Sequence, residues 1–522
     1  MGFDFGTTNS SVSRMGKADP QVLNVDYERR TFPSTVTIQG NRISHIGRHS
    51  ARSPPSDATI IENVKCVLGR TSSDGQLKAD IENRCTSCEL DVDGNPVFRI
   101  GEMEIRPVEL VVLLLLRAKE IFKEATGREP TKCCLTVPAY SMDTQRQAFR
   151  DAARAAGLEM ISMINEPTAA ALASLSKPSE NGNYLVVDVG GGTTDVSNIT
   201  FYAEEPEETE ETEETEETEN QESRRTLVVN ATSGDNELGG VDFTTALVQL
   251  FKDRVDKDIP PEELFNLCEE AKKQHNDPIE IRSRGCIYAV SQDEYRQALD
   301  AYLKRIERLI KTARRKHEFK GVILTGGGSY QKIFSDYMET CFKGLPILRQ
   351  RPAGEAVAEG AIVPAMSTVH VTDVVTNPLG IDTQRKATRE RNIMAFIIEQ
   401  YRQLPAIGFE EFVAVDDEMT EIHLYQGSQK KSSKNVSLGV FYIATSSGQT
   451  VNVKIKMECD GTVRVTASTK ETSEALKVTR KSALTDSDID AMRERCRVLF
   501  DECSNAQEKP KELYRRSKRR RA

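Results

Sequence analysis

The chain has no apolar run long enough to cross a membrane: its longest, Leu110 to Leu116, falls well short of the ~18 residues a span needs. That run reads instead as a buried helix opened by Pro107 in its first turn. No charged-then-apolar leader precedes the first strand, and the eleven cysteines are odd in number and lack the spacing of a disulfide framework. A reducing cytosol or nucleus is therefore the expected compartment. Cys85 and Cys88 form one C-x-x-C with no second pair at zinc-site spacing, which reads as chance. His45 and His49 lack between them the carboxylate that metalloprotease chemistry needs, so they read as surface histidines. Neither G-x-x-x-x-G-K-[ST] nor G-x-G-x-x-G occurs, which removes the two commonest nucleotide loops.

What is present at 522 residues is enough for three to four domains or subdomains, with 38% hydrophobic residues to pack them. The formal net charge of −10 is misleading. Glu204 to Glu222 holds twelve glutamates and no basic residue, so the acidity belongs to one Glu/Thr insertion that cannot bury anything and reads as disordered. The last eight residues, RRSKRRRA, carry six Lys or Arg, a basic tail able to meet RNA, a ribosome or an import receptor.

The most informative stretch is LVVDVGGGTTDVSNIT, Leu185 to Thr200: strand, glycine turn, strand. Gly190, Gly191 and Gly192 let backbone N–H groups close on phosphate oxygens, with Thr193 and Thr194 as further donors. Asp188 and Asp195 would repel a bare phosphate, so they make sense there with a hard cation such as Mg²⁺ between. GFDFGTTNSSV near the start repeats the pattern through Asp4, Gly6, Thr7, Thr8 and Asn9, and VILTGGGS adds a third turn at Gly326, Gly327 and Gly328. A duplicated domain holding a nucleotide needs such turns. The first strand has almost no length before Asp4, so it is short or begins upstream. Lys65, among apolar neighbours in NVKCVLGR, reads equally as a snorkelling residue or a phosphate ligand. Glu166 opens an alanine-rich helix, where a glutamate commonly compensates the dipole.

Helices are expected over Asp143 to Ala156, Glu262 to Gln274, Asp293 to Lys316, Lys332 to Phe342 and Asp486 to Phe500, the last capped by Thr485. From Leu379 to Thr469 short alternating segments predict an antiparallel β domain.

DFGTTNSSV, VPAYSMDTQRQAFRDAARAAGL, INEPTAAAL, VVDVGGGTTDV, ELGGVDF, LTGGG and EAVAEGA occur in the order and spacing of the DnaK-type heat shock protein 70 chaperones, which the chain resembles to about residue 365 and, through NPLGID, more weakly beyond. The resemblance implies an α/β, actin-like and ribonuclease-H-like ATPase domain (1–366), an interdomain linker (367–376), a β-sandwich that grips extended peptides (377–480), and a short helical lid with the basic tail (481–522). It implies Mg²⁺ and ATP or ADP as cofactors, unfolded client peptides as ligands, and a J-domain co-chaperone and exchange factor as partners. Asp4, Glu166, Asp188 and Asp195 would surround the metal and attacking water, largely through coordinated waters, while Lys65 orients that water. Thr7, Thr193 and the glycine amides would meet the phosphates, and Glu269, Lys272, Lys273 and Asn276 the adenosine. Pro138 and Arg146 would relay nucleotide state. Met394, Phe412, Thr420 and Ile422 would line the peptide groove.

Departures accompany the match. Lys273 and Asn276 replace an arginine and a serine, which weakens adenine stacking. Gly328, Tyr330 and Gly354 replace a serine, an arginine and an aspartate. The linker STVHVTDVV keeps only valines of its apolar residues, Thr420 stands for an apolar residue, and the lid is under half the usual length. Weaker domain coupling and fast peptide release are the expected results.

Overall fold

The computed structural model describes residues 1–17, 19–25, 29–48, 57–85, 87–174, 181–203, 225–349, 353–365, 369–384, 391–415, 417–470, 473–474 and 484–519. The Glu/Thr tract, His49 and the end of the tail lie outside them. The chain divides into two compact units, one of Met1–Val137, Ser141–Ile164 and Asp373–Ala522, the other of Pro138–Tyr140 and Asn165–Thr372.

Each unit is built on a sheet of the same plan. In the first, the short strand Gly2–Phe5 pairs antiparallel with Asn9–Met15 on one side and parallel with Lys132–Val137 on the other. In the second, Gly182–Val189 pairs antiparallel with Thr194–Ala203 and parallel with Gly321–Thr325. An antiparallel neighbour needs only a tight turn, whereas a parallel one needs a long crossover, so each sheet carries its polar turn on the hairpin side. The crossovers supply helices: Pro107–Thr126 in the first unit, whose predicted apolar run Leu110 to Leu116 is buried through Leu115 and half-buried at Leu116, and Pro261–Gln274 and Gln292–Arg314 in the second. In the second unit Glu166–Ser174 and Ala353–Ile362 cross closely, because a Cβ at Gly360 would fall 1.7 Å from the Ala169 carbonyl oxygen.

The strand Val369–Thr372 adds parallel to Arg225–Asp235 at the edge of the second sheet, through main-chain bonds that do not depend on which side chains it carries. The expected β domain is a sandwich. One four-stranded sheet orders Ile393–Ile398, Leu379–Thr383, Glu418–Gln426 and Val436–Thr445; the other includes Ala406–Val413, Thr450–Met457 and Val463–Ser468. Their inner faces share one core of Leu379, Ile381, Ile398, Leu424, Phe441, Val453 and Ile455.

The C-terminal helix, Asp486–Arg519, runs well beyond Phe500 and lies against Pro107–Thr126, Asp143–Ala155 and Arg42–Ile46. Ile489, Met492, Cys496 and Cys503 form its apolar stripe and are buried in the same core as Leu110 and Val111. Arg495 Nη1 donates to Glu109 Oε1 at 2.9 Å, and Arg154 pairs with Asp486 at 2.7 Å. All eleven cysteines are free.

Candidate functional site

In the second unit the GGG turn is closed by a bond from Gly190 N to Thr193 O, 2.9 Å. The ELGGVDF segment docks on it backbone to backbone, Gly240 N to Gly190 O at 2.9 Å and Val241 N to Gly191 O at 2.8 Å. A Cβ at Gly239 would lie 2.6 Å from Gly191 O, so only glycine permits this approach. The third turn closes the cluster: a Cβ on Gly326 would meet Asp188 Oδ1 and Val189 O at 2.3 Å, and one on Gly328 would meet Val189 O at 2.9 Å. Gly327, by contrast, faces open space. Three glycine turns distant in sequence thus converge.

Asp188 and Asp195 stand directly opposite each other on the antiparallel ladder, 6% and 2% exposed. Like charges so placed destabilise a sheet, and burying carboxylates is costly without a counter-charge. Asp188 is seated against Gly326, and Asp195 against Gly234, where a Cβ would come within 2.6 Å of its Oδ1. This donor chemistry fits Mg²⁺, which keeps several waters and takes only one or two carboxylates. Glu166 is buried in the same unit, at the start of its helix.

The hydroxyls divide. Thr193 is half-buried at the turn, whereas Thr194 is fully buried and donates to the Leu238 carbonyl at 2.7 Å, anchoring the ELGGVDF segment. Lys272 Nζ donates to Gly240 O at 2.8 Å, Thr244 Oγ1 at 2.7 Å and Glu269 Oε2 at 2.6 Å, bracing the glycine cluster from the helix Pro261–Gln274. Burial acts to raise the Glu269 pKa, but the Lys272 ammonium and Thr244 outweigh it and hold the carboxyl below its ordinary value. Lys273 is turned to Glu270 at 3.1 Å and Glu269 at 3.4 Å, and the exposed Asn276 amide donates to Gln274.

In the first unit Asp4 is buried on its strand and accepts a bond from Thr136 Oγ1 at 3.0 Å. Gly6 O accepts from Ser34 Oγ at 2.7 Å, and Thr7 is buried while Thr8 and Asn9 are exposed. Lys65 sits 6% exposed in the short turn Val64–Cys66, which starts from Asn63 in the left-handed region. Arg70 holds that turn, donating to Cys66 O at 2.7 Å while paired with Asp80 at 2.6 Å and Asp74 at 2.7 Å. Gly69 packs on the helix Asp143–Ala155, a Cβ there falling 2.7 Å from the Gln145 Cα. Thr136, Gly234 and Thr244 were not singled out by sequence. Their only signal is proximity to a motif, since a supporting hydroxyl or glycine has no pattern of its own.

Arg146 is buried in the first unit against Gly461 of the sandwich, where a Cβ would lie 3.0 Å from its Cδ; burial pushes its pKa down to about 10, against the pull of Asp373. Nearby, Asp143 N donates to Gln426 Oε1 at 2.8 Å and Arg150 pairs with Asp460 at 3.2 Å. Pro138 lies in the second unit. In the sandwich Met394 and Ile422 are buried, Phe412 and Thr420 half-buried, and Thr420 Oγ1 lies 2.7 Å from Thr445 Oγ1. Among the described residues no helix is long and apolar enough to cross a membrane.

Comparison with known proteins agrees with this architecture. The family described as "Hsp70 protein" matches residues 1–206 and 223–516, leaving out most of the Glu/Thr tract. The chain is 28% identical over 536 aligned residues to an SSB-type heat shock protein of Pyricularia oryzae, an alignment that covers 92% of this chain and 81% of that protein. With duplicated sheets, converging glycine turns, a β-sandwich and a match along nearly its whole length, the chain belongs to the Hsp70 family of chaperones, whose members are ATPases.

Proposed function

We propose that this chain is an ATP-dependent chaperone that hydrolyses ATP to control the binding of extended peptide segments of unfolded proteins. The observation that carries the reading is the convergence of three glycine turns around the buried pair Asp188 and Asp195. Phosphoryl transfer asks little covalent work of a protein and much positioning and charge neutralisation. Gly190 to Gly192 and Gly326 to Gly328 offer backbone amides to the phosphates, with Thr7 and Thr193 as hydroxyl donors. Asp188 and Asp195, with Asp4 and Glu166, would hold Mg²⁺ through its waters; when bound, it neutralises charge on the transferring phosphoryl group. Lys65 orients the attacking water, and Arg70 positions Lys65 by holding the Cys66 carbonyl. Glu269, Lys272, Lys273 and Asn276 border the adenosine.

In this reading residues 1–366 form the ATPase domain, 367–376 the linker, 377–480 the peptide-binding domain and 481–522 the helical end and tail. Pro138 and Arg146 carry nucleotide state to the sandwich, where Met394, Phe412, Thr420 and Ile422 line the groove. A J-domain co-chaperone and an exchange factor serve the cycle in the cytoplasm or nucleus, and the basic tail reaches RNA or a ribosome.

The test is the affinity of a labelled extended peptide measured with ATP and again with ADP. Weaker binding in ATP is expected. Equal affinities, or no binding in either state, would favour a second reading, a non-cycling co-chaperone or ribosome-tethered nucleotide scaffold, which the burial of the C-terminal helix in the first unit's core supports. ATP turnover abolished by Asp188→Asn separates the two.

A further inference from the structure

Buried hydroxyls in the second unit are spent on bonds within it. Thr194 Oγ1 donates to Leu238 O at 2.7 Å, Thr232 Oγ1 to Val196 O at 3.2 Å, Thr244 Oγ1 to Gly240 O at 3.1 Å and Ser329 Oγ to Gly326 O at 2.7 Å. Thr325 departs from this rule. It is 0% exposed, yet its Oγ1 has no hydrogen-bond partner among the described residues. A buried hydroxyl left in that state is costly, and valine would fill the same space on a strand without the cost. Ser162, whose Oγ shares the condition, is only a half-buried residue, on the outermost strand of the first sheet, Glu159–Asn165.

Its place in the sheet supplies a reason. Thr325 ends the strand Gly321–Thr325 and is paired in parallel with Asp188, which is paired in turn with Asp195, and Asp195 with Gly234. The four form one row across the sheet: a hydroxyl, two carboxylates, and a glycine whose Cβ would come within 2.6 Å of Asp195 Oδ1. Side chains alternate between the faces of a sheet, and the sequence neighbours Leu324, Val187 and Val196 are all buried in the core on one face, so the row occupies the other. The helix Glu166–Ser174 packs against the three strands that carry Thr325, Asp188 and Asp195, and none of its residues belongs to that core, so it lies on the row's face of the sheet. Thr325 thus stands beside the buried carboxylate pair, on the side where Glu166 opens its helix.

We propose, resting on the Mg²⁺ reading above, that Thr325 is a further residue of that metal site, its Oγ1 accepting a hydrogen bond from a water in the hydration shell of the cation. Mg²⁺ keeps several waters and takes only one or two carboxylates. The oxygen of a bound water is committed to the cation, so the water acts as a donor and needs acceptors around it. Asp188 and Asp195, when ionised, supply acceptor oxygens; a hydroxyl in the same row supplies one more without adding a third negative charge to a buried pair. Threonine offers this and valine of nearly the same shape does not: an outer-shell partner that fixes the position of a coordinated water. A trapped water unconnected with the cation would also satisfy the hydroxyl, but its loss would leave metal affinity untouched.

Mg²⁺ should be titrated calorimetrically into the full-length chain saturated with ADP. Thr325→Val should weaken Mg²⁺ binding about 10-fold, as loss of an outer-shell partner does, whereas Thr325→Ser, which keeps the hydroxyl, should stay within about 3-fold of the wild type. Asp188→Asn should weaken it further than either. With metal and nucleotide absent, Thr325→Val should melt no lower than the wild type, because it removes a polar group that has no partner in the fold. The proposal is overturned if Thr325→Val binds Mg²⁺ as the wild type does while Asp188→Asn binds it weakly, the result expected of a trapped water unconnected with the cation. It is equally overturned if serine loses as much affinity as valine, or if Thr325→Val melts lower without metal, which would assign the hydroxyl to the fold. If Asp188→Asn binds Mg²⁺ unchanged, or the wild type binds none, the Mg²⁺ reading itself fails and Thr325 loses its role with it.

Discussion

The hairpins Gly2–Met15 and Gly182–Ala203 share an order of residues, acid, glycine, paired threonines, on sheets of one plan, yet they are built for different work. The first has a single glycine in its turn, where a Cβ would meet Asn9 O at 2.2 Å, and its carboxylate Asp4 is steadied by Thr136. The second has three glycines, and two further glycine turns are folded onto it. Its carboxylate Asp188 faces a second, Asp195, across the ladder. The two sheets therefore share a scaffold while their turns differ in glycine content and in the carboxylates beside them. Under the proposed function, the second turn would offer bare backbone to an anion and a carboxylate pair to a cation, while the first hairpin's own unit would offer side chains, Asp4, Thr7 and Lys65.

This division can be broken most directly by hydrolysis. Asp188→Asn should lower single-turnover ATP hydrolysis by about 10³-fold, as expected for loss of a principal electrostatic group. Asp4→Asn should cost about 10-fold, because a neutral amide still accepts from Thr136. Lys65→Ala should fall between them at about 10²-fold while nucleotide binding stays nearly intact. Equal losses in the two aspartate variants would show that the hairpins share the work evenly.

Stability gives a second, smaller contrast. Gly326 has φ +79° and ψ 147° and lies against Asp188 and Val189. Gly326→Ala should destabilise the protein by about 1–3 kcal/mol through backbone conformation alone. Gly327→Ala, with open space at its Cβ, should change stability by no more than about 0.5 kcal/mol. Urea unfolding of the two variants measures the difference. If they unfold alike, the third turn is not packed on the second as described.

Much of this was legible in the sequence because glycine turns after apolar strands have a pattern independent of tertiary context. The Pro107 helix, the alanine-rich helix at Asp143 and the antiparallel β domain follow from periodicity and capping, while its sandwich form came from the family resemblance. Other features were hidden for identifiable reasons. The hairpin Ile279–Val290 alternates in sequence around Arg284-Gly285, but it is short and lies between two long helical patterns that dominate the reading. The last helix passes Pro510, where a proline ordinarily ends the pattern, and its partners include residues 332 to 391 positions away in sequence. The pairing of Val369–Thr372 with the sheet runs through its main chain, which no side-chain pattern announces. At the site, the types of residue were legible but their partners were not. Nothing local to Lys272 or Thr194 says that each is spent on a backbone carbonyl of the glycine cluster.

That bracing sharpens the contrast between the hairpins at its finest level, since Lys272 supports only the second. Glu269 has a folded pKa held below its ordinary 4.5 by Lys272, so the unfolded state binds more protons as pH falls. The pair therefore contributes stability that is fully present above the unfolded pKa and is lost as pH falls through the lower, folded one. Lys272→Met removes the cation and leaves a largely buried carboxylate beside Thr244, which burial alone pushes upward. The variant should lose on the order of 1 kcal/mol near neutrality. Its difference from the wild type should then narrow as the medium is acidified below about pH 5 and both forms of Glu269 become neutral. Thermal melts across that range test the sign. A deficit that stays constant with pH would mean that Lys272 acts only through its bond to the Gly240 carbonyl, and the second glycine turn would then owe its support to hydrogen bonding rather than to charge.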